Sequence, residues 1–280
     1  IRGSEELQHC CSLAVRLLDN TIDLTTTPIS ASKRHNDLYR TIGIGSMGLA
    51  DWLAFNHLRY SNVEEINDWY EDIAYYCIKA SADLAIKRGS FQAYEGSEWS
   101  QGKILCRESQ WFDVNSKKAD RWHKLSHQIQ TTGIRNSQIL AIAPNTSSAL
   151  IQGCTASVLP VFSRFFYEKG KVAVPMAPPF IDTHLWFYEE NKRLHPSIVV
   201  NAIAAIQKWT DTGISMELLF NLNKGVYSDE PVAITAKEIF EVLMQAWKSG
   251  CKAIYYIRSI QKDDTDSYKE QASECSVCAN

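Results

Sequence analysis

Gln138-Ile139-Leu140-Ala141-Ile142-Ala143 runs directly into Pro144-Asn145-Thr146-Ser147-Ser148-Ala149-Leu150-Ile151. The apolar run reads as a buried strand, and Pro144 ends it because proline has no N–H to continue a ladder. A strand that gives way to hydroxyl residues and then to a helix points backbone N–H and side-chain O–H groups at one spot. That arrangement holds a phosphate. The same residues have a second reading, since Thr and Ser are good N-caps and would equally serve to start a helix. The local sequence leaves the two readings balanced. Asn145-Thr146-Ser147 also fits a glycosylation acceptor, which a cytosolic protein would not use.

Outward from this stretch, helical and strand-like segments alternate. Towards the N-terminus, Leu7, Cys11, Ala14, Leu17, Leu18 and Ile22 recur at helical spacing and predict an amphipathic helix from Glu5 to about Leu24. A turn-rich stretch, Thr25 to Asn36, leads to Leu38–Gly45. Helices are expected over about Met47–Phe55, Val63–Lys87 (stopped by Arg88-Gly89) and Ala119–Thr131, with an aromatic, irregular region from Ser90 to Lys118. Towards the C-terminus, the expectations are strand-like pieces within Phe162–Val174, a loop over Pro175–Pro179 and a helix over His195–Trp209. Then follow a strand over Ile214–Leu222, a helix over Thr235–Ser249 capped by Thr235, and a short strand over Lys252–Ile257. Strands separated by helices predict an α/β architecture with parallel strands and crossovers. The final residues, rich in Asp, Ser, Lys and Glu, are expected to be a flexible tail.

The 280 residues are 45% hydrophobic and 22% charged, enough to bury a substantial core. Lys+Arg 29 against Asp+Glu 32 leaves a formal charge of -3, which argues against a nucleic-acid surface or a polybasic membrane anchor. With no apolar run long enough for a bilayer and no signal-peptide pattern at the start, a cytoplasmic location is the expectation. Eight scattered cysteines do not form the dense framework of a small secreted domain, so mostly reduced thiols are expected. The chain starts at Ile1 without an initiator methionine and reads as a piece of something longer.

Three further motifs carry chemistry. Gly43-Ile44-Gly45-Ser46-Met47-Gly48 matches a dinucleotide fingerprint in letters but lacks the flanking strands, so a structural glycine-rich turn is expected there. Tyr255-Tyr256 places two phenols side by side in a β-like run, where aromatic residues are common for packing alone. A regular strand sends neighbours to opposite faces, so cooperation between the phenols needs a strand end or a distortion. Cys275 and Cys278 form a C-x-x-C pair. Without a second pair at ligand spacing, a metal site is not expected, and a dithiol on a tail suits thiol–disulfide exchange, which needs access and mobility. Cys154 follows the hydroxyl loop closely enough to approach it, but a small buried hydrophobe is its expected role.

Together these motifs, with Ala14-Val15-Arg16-Leu17-Leu18-Asp19-Asn20, Arg40-Thr41-Ile42-Gly43-Ile44-Gly45 and Gly133-Ile134-Arg135-Asn136-Ser137, give the chain its resemblance to the C-terminal portion of the large, catalytic subunit of class I ribonucleotide reductase. The similarity covers essentially all 280 residues. It implies the C-terminal part of a ten-stranded α/β barrel over residues 1–258 and a redox tail over 259–280. It further implies reduction of a ribonucleoside diphosphate by radical chemistry. By the resemblance, Pro144, Asn145, Thr146, Ser147 and Ser148 hold the substrate phosphates, and Tyr255 and Tyr256 relay a radical from a separate small subunit. That subunit carries the tyrosyl radical and dimetal centre, with no cofactor bound in this chain. Cys275 and Cys278 re-reduce the active-site disulfide and are themselves reduced by thioredoxin or glutaredoxin.

In the family, the loop with the radical cysteine between an Asn and a Glu, both members of the reducible cysteine pair and the allosteric sites lie upstream. None can be placed here; Cys10 and Cys11 fall in the opening helix, after the position expected for the second redox cysteine. The upstream half of the large subunit is therefore an expected partner, through either a truncated sequence or a gene divided into two chains. Two other functions compete with this expectation. One is a stand-alone thiol–disulfide oxidoreductase using Cys275 and Cys278; the other is a non-catalytic subunit-binding module.

Overall fold

Leu7, Cys11, Val15 and Asp19 are buried every fourth residue along helix α1 (Ser4–Leu24), so the inward stripe of this helix ends on a carboxylate. The computed structural model describes residues 3–169, 173–230 and 232–261. After α1 come α2 (Ser30–Tyr39), α3 (Leu49–Phe55), α4 (Val63–Arg88), α5 (Ser109–Asn115), α6 (Ala119–Thr132) and α7 (Thr146–Gln152). A hairpin of β1 (Phe166–Lys169) and β2 (Ala173–Met176) follows. The remaining elements are α8 (Ile181–His184), α9 (Pro196–Gln207), β3 (Glu217–Asn221), α10 (Ala236–Lys248) and β4 (Tyr256–Ile260). The chain divides into two compact units: residues 1–46, 63–143 and 205–214 form the first, and residues 47–62, 144–204 and 215–280 the second.

In the first unit, α1 packs along α4, and α4 and α5 both pack on α6. Asp19, fully buried, gathers Arg40, Arg88 and Arg135. Arg40 Nε donates to its Oδ1 at 2.8 Å, Arg88 Nη1 to its Oδ2 at 2.9 Å, and Arg135 Nε lies 3.2 Å from Oδ1. Asn136 joins the cluster by donating from Nδ2 to the Arg40 carbonyl at 2.9 Å and accepting from Ser81 Oγ at 2.9 Å. A second buried carboxylate, Glu71, accepts from Trp122 Nε1 at 2.9 Å, Arg121 Nη2 at 2.8 Å and Ser116 Oγ at 2.6 Å. Beside it the Trp122 ring contacts both Phe112 and Trp209 in near-parallel orientation, with ring centroids 4.8 and 5.6 Å away.

The expected strand at 138–143 is an extended segment with parallel bridges on both sides, Ile44 to Leu140 and Ile142 to Ile214. It is not a regular ladder because Asp211 Oδ2 takes the N–H groups of both Ile139 and Leu140, each at 2.8 Å, in place of strand carbonyls. The first two glycines of the dinucleotide-like motif, Gly43 and Gly45, lie against Ala141 of this segment. A Cβ on Gly45 would lie 2.4 Å from the Ala141 carbonyl oxygen, a separation no real Cβ tolerates. Gly45 therefore serves the close approach of two backbones.

In the second unit, β1 and β2 pair antiparallel, and β3 pairs parallel with β4 in the register Glu217 to Tyr256 through Asn221 to Ile260. Thr235 caps α10 in a full capping box with Glu238, as its position predicts. The described residues are thus mixed helix and sheet, with two two-stranded sheets and no closed barrel among them. No helix among them is long and apolar enough to cross a membrane.

Four expectations need correction. The stretch Thr25–Asn36 is not all turn: α2 starts at Ser30, two residues after Pro28, and ends where Arg40 adopts the left-handed conformation (φ 46°) that delivers its side chain to Asp19. The Ser90–Lys118 region contains α5, whose Phe112 is drawn into the tryptophan stack. Pro175 lies within β2, which a two-stranded hairpin tolerates because one side of each strand bears no ladder. The last strand begins at Tyr256 and runs to Ile260, later than Lys252–Ile257.

The Asp19 cluster generates a stability prediction. Replacing Asp19 by Ala leaves the nearly buried Arg40 guanidinium short of its partner and should cost about 3–5 kcal/mol in denaturant unfolding. Asp23 also accepts from Arg40, at 2.8 Å, and that hydrogen bond, against some opposing burial, holds its carboxyl below the usual range. Half of its side chain is exposed, so Asp23→Ala should cost at most about 1 kcal/mol. Because the Asp23 pKa is depressed in the folded state, its contribution is complete above the ordinary carboxylate range and disappears as pH falls through the folded value.

Candidate functional site

The hydroxyl loop lies at the start of α7, so the helix-start reading of the sequence is correct as far as it goes. Asn145 is the N-cap, in the left-handed conformation (φ 52°), and its carbonyl accepts the first helical bond from Ala149 N at 2.9 Å. No side chain caps the helix. The N–H groups of Thr146, Ser147 and Ser148 stand in the first turn, where a helix offers them no acceptor of its own. Pro144 and all three hydroxyl residues are exposed, and Asn145 is half-buried. Hydroxyl residues and first-turn amides therefore share an exposed helix start.

The other end of α7 is tied down from beneath. Gly153 terminates the helix with φ 65°, and Cys154 N returns to the Ala149 carbonyl at 3.1 Å. Thr155 N then donates to Asp51 Oδ2 at 2.7 Å, while Thr155 O accepts from Gly48 N at 2.8 Å. Asp51 lies in the first turn of α3 and is 6% exposed. Its Oδ1 accepts from the phenol of the fully buried Tyr188 at 2.9 Å, and Tyr188 in turn accepts from Phe180 N at 3.3 Å. Burial pushes the Asp51 carboxyl above its usual range, against the hydrogen bonds from Thr155 and Tyr188; burial and the neighbouring carboxylate push the Tyr188 phenol up. Cys154 lies beside Gly48, and burial followed by the charge of Asp51 raises its thiol, which makes it a poor nucleophile.

Asp51 and Tyr188 escaped the reading of the sequence. The signal for the first was a single carboxylate inside the apolar run Leu49-Ala50-Asp51-Trp52-Leu53-Ala54, a position that requires buried partners. Nothing in the sequence distinguished Tyr188 from the other tyrosines.

Tyr255 and Tyr256 lie at the start of β4, before strand alternation is established. Both backbone N–H groups point to the Met216 carbonyl, at 2.7 and 3.4 Å. This shared acceptor lets adjacent side chains meet, with ring centroids 4.2 Å apart and planes inclined at 54°. The distortion that two cooperating phenols require is therefore present. A hydrogen bond between the phenols raises the Tyr255 pKa, and the Tyr256 charge adds to the effect. Arg258 covers the Tyr256 ring at 4.7 Å and pairs with Glu217 at 3.1 Å. Both tyrosines remain roughly half exposed, so the pair is accessible and can share a proton.

Cys275 and Cys278 lie outside the described residues. Cys10 is exposed on α1, whereas Cys11 is buried and hydrogen-bonded to Cys77. That contact lowers the Cys11 thiol and pushes the Cys77 thiol well up. Among the described residues no cluster of three His, Cys, Asp or Glu could hold a metal ion.

Comparison with known proteins adds a family to this geometry. Residues 2–257 match the model of the ribonucleotide reductase barrel domain. The chain is 55% identical over 280 residues to the ribonucleoside-diphosphate reductase subunit alpha of Synechocystis sp., covering 99% of this chain and 36% of that protein. It is 30% identical over 290 residues to the subunit of the same name from Helicobacter pylori strain J99, again covering 99% of this chain and 36% of the relative. The Mycoplasma pneumoniae subunit alpha is 28% identical over 308 residues, covering 99% of this chain and 41% of that protein. The chain thus spans well under half the length of these relatives. With the barrel-domain model matched over nearly its whole length, this chain belongs to the ribonucleotide reductase family.

Proposed function

We propose that this chain is the C-terminal portion of a ribonucleoside-diphosphate reductase large subunit, reducing ribonucleotides together with an upstream portion that holds the radical cysteine. The observation that carries the reading is the Tyr255–Tyr256 pair, hydrogen-bonded and in ring contact at a strand start inside a chain of this family. A phenol can give up an electron and a proton together, and two phenols in contact can pass that deficit from one to the other. The partner delivering it is a small subunit with a tyrosyl radical and dimetal centre. The substrate is a ribonucleoside diphosphate whose phosphates rest on the loop Pro144–Ser148; the open donors of Thr146, Ser147 and Ser148 support this assignment. Cys275 and Cys278 act as the tail dithiol that returns electrons from thioredoxin or glutaredoxin, by thiolate attack on a disulfide sulfur. For the whole protein we propose the family's ten-stranded barrel, in a cytoplasmic enzyme. The parallel pair β3–β4 and the parallel bridges at Leu140 and Ile142 fit such a sheet.

Three outcomes test this reading in the complete alpha subunit assembled with its small subunit. Tyr255→Phe and Tyr256→Phe should each abolish turnover while leaving substrate binding unchanged; retained turnover would falsify the relay. By ultraviolet titration Tyr255 should ionise above the ordinary phenol range, and Tyr256→Phe should bring it back towards that range. Cys275→Ser with Cys278→Ser should stop turnover with thioredoxin as sole reductant but spare it with dithiothreitol. Unchanged thioredoxin-driven turnover would favour the subunit-binding module, and disulfide reduction by this chain alone would favour the simple oxidoreductase.

A further inference from the structure

The buried carboxylate of Asp51 has no part in the proposed chemistry, yet its bonds reach the segment that fixes α7. It accepts from Thr155 N at 2.7 Å, just past the Gly153 stop, and from Tyr188 at 2.9 Å. The Thr155 carbonyl is held in turn by Gly48 N at 2.8 Å. Gly48, at φ 79°, has no room to spare: a Cβ there would meet Asp51 Oδ2 at 3.3 Å and Cys154 Cβ at 3.6 Å. One carboxylate thus joins the first turn of α3, a buried tyrosine and the exit of the helix whose entrance is the hydroxyl loop. α7 is only 7 residues long, so a displacement of its exit is carried to Thr146–Ser148 with little loss. The entrance itself has no side-chain cap to hold it independently.

We propose that Asp51 is a positioning residue for substrate phosphate binding: by anchoring Thr155 it sets where the donors of Thr146, Ser147 and Ser148 stand. This rests on the reading of Pro144–Ser148 as the phosphate loop. Asp51 touches no substrate; it acts through the backbone of Thr155, with Tyr188 keeping its carboxylate in place. The interaction belongs to binding, so its loss changes substrate affinity more than the chemical step.

The test is steady-state reduction of cytidine diphosphate by the complete alpha subunit with its small subunit, comparing KM with kcat. Asp51→Ala should raise KM about tenfold, the scale of one lost buried hydrogen bond, with kcat at saturating substrate held within about twofold. Asp51→Asn keeps an acceptor for Thr155 N and should restore KM to within about threefold of wild type. Tyr188→Phe removes only the phenol O–H, should raise KM about threefold, and serves as the test if Asp51→Ala does not fold. Ser147→Asp is the control for the loop itself, since it places a carboxylate where phosphate is expected and should raise KM by well over tenfold. A high KM in Ser147→Asp with normal KM in Asp51→Ala and Tyr188→Phe overturns the role of Asp51 while leaving the loop in place. Unchanged KM in Ser147→Asp removes the loop reading and this inference with it. A fall in kcat at constant KM in Asp51→Ala, unrelieved in Asp51→Asn, identifies a general structural role and also overturns the proposal.

Discussion

A carboxylate with no exposure to water sets the order of the first unit. Asp19 is too deeply buried to be solvated, so its charge is tolerable only with cations and hydrogen-bond donors around it. Arg40, Arg88 and the adjacent Arg135 and Asn136 meet that demand from three different places in the chain. Each is constrained in return. Arg40 takes a left-handed backbone at the end of α2, Arg88 closes α4, and the Arg135-Asn136 segment leads into the extended run at 138–143. The cluster is a set of simultaneous geometric conditions that few alternative packings could meet, which gives it more weight in choosing this fold than in stabilising it.

The second unit repeats the device on a smaller scale. Asp51 is also a carboxylate in an apolar helical run, but the donors it accepts from are a backbone amide, Thr155 N, and a phenol, Tyr188. Its carboxyl is accordingly lifted by burial, whereas Asp23, on the rim of the Asp19 cluster, is lowered by Arg40. The contrast separates two uses of an inward acid. One organises a core through charge, and the other fixes a backbone segment by hydrogen bonding alone.

Much of this was legible in the sequence, but for uneven reasons. Helical spacing located α1, α4 and α6, and the Thr235–Glu238 capping box was readable because its chemistry is local. The stretches around Asp19, Arg40 and Arg135 were recognisable as family motifs, although only the structure gives their physical reason: they meet at one carboxylate. Helix α2 was missed because its residues favour turns and its anchor, Arg40 on Asp19, is a contact distant in sequence. The Tyr255–Tyr256 pair was legible as a pair; its shared Met216 carbonyl was not, since a late strand start depends on the neighbouring strand. At the loop the sequence offered phosphate donors or a helix start, and the structure contains the helix start with those donors still open.

Gly45 carries a consequence at the level of the gene. Its place against the Ala141 carbonyl leaves no room for even one additional carbon. Every missense change of a glycine codon adds at least that carbon, so alanine is no gentler here than valine or arginine in the first contact it makes. Codon 45 can drift only silently, unless the 138–143 segment moves aside.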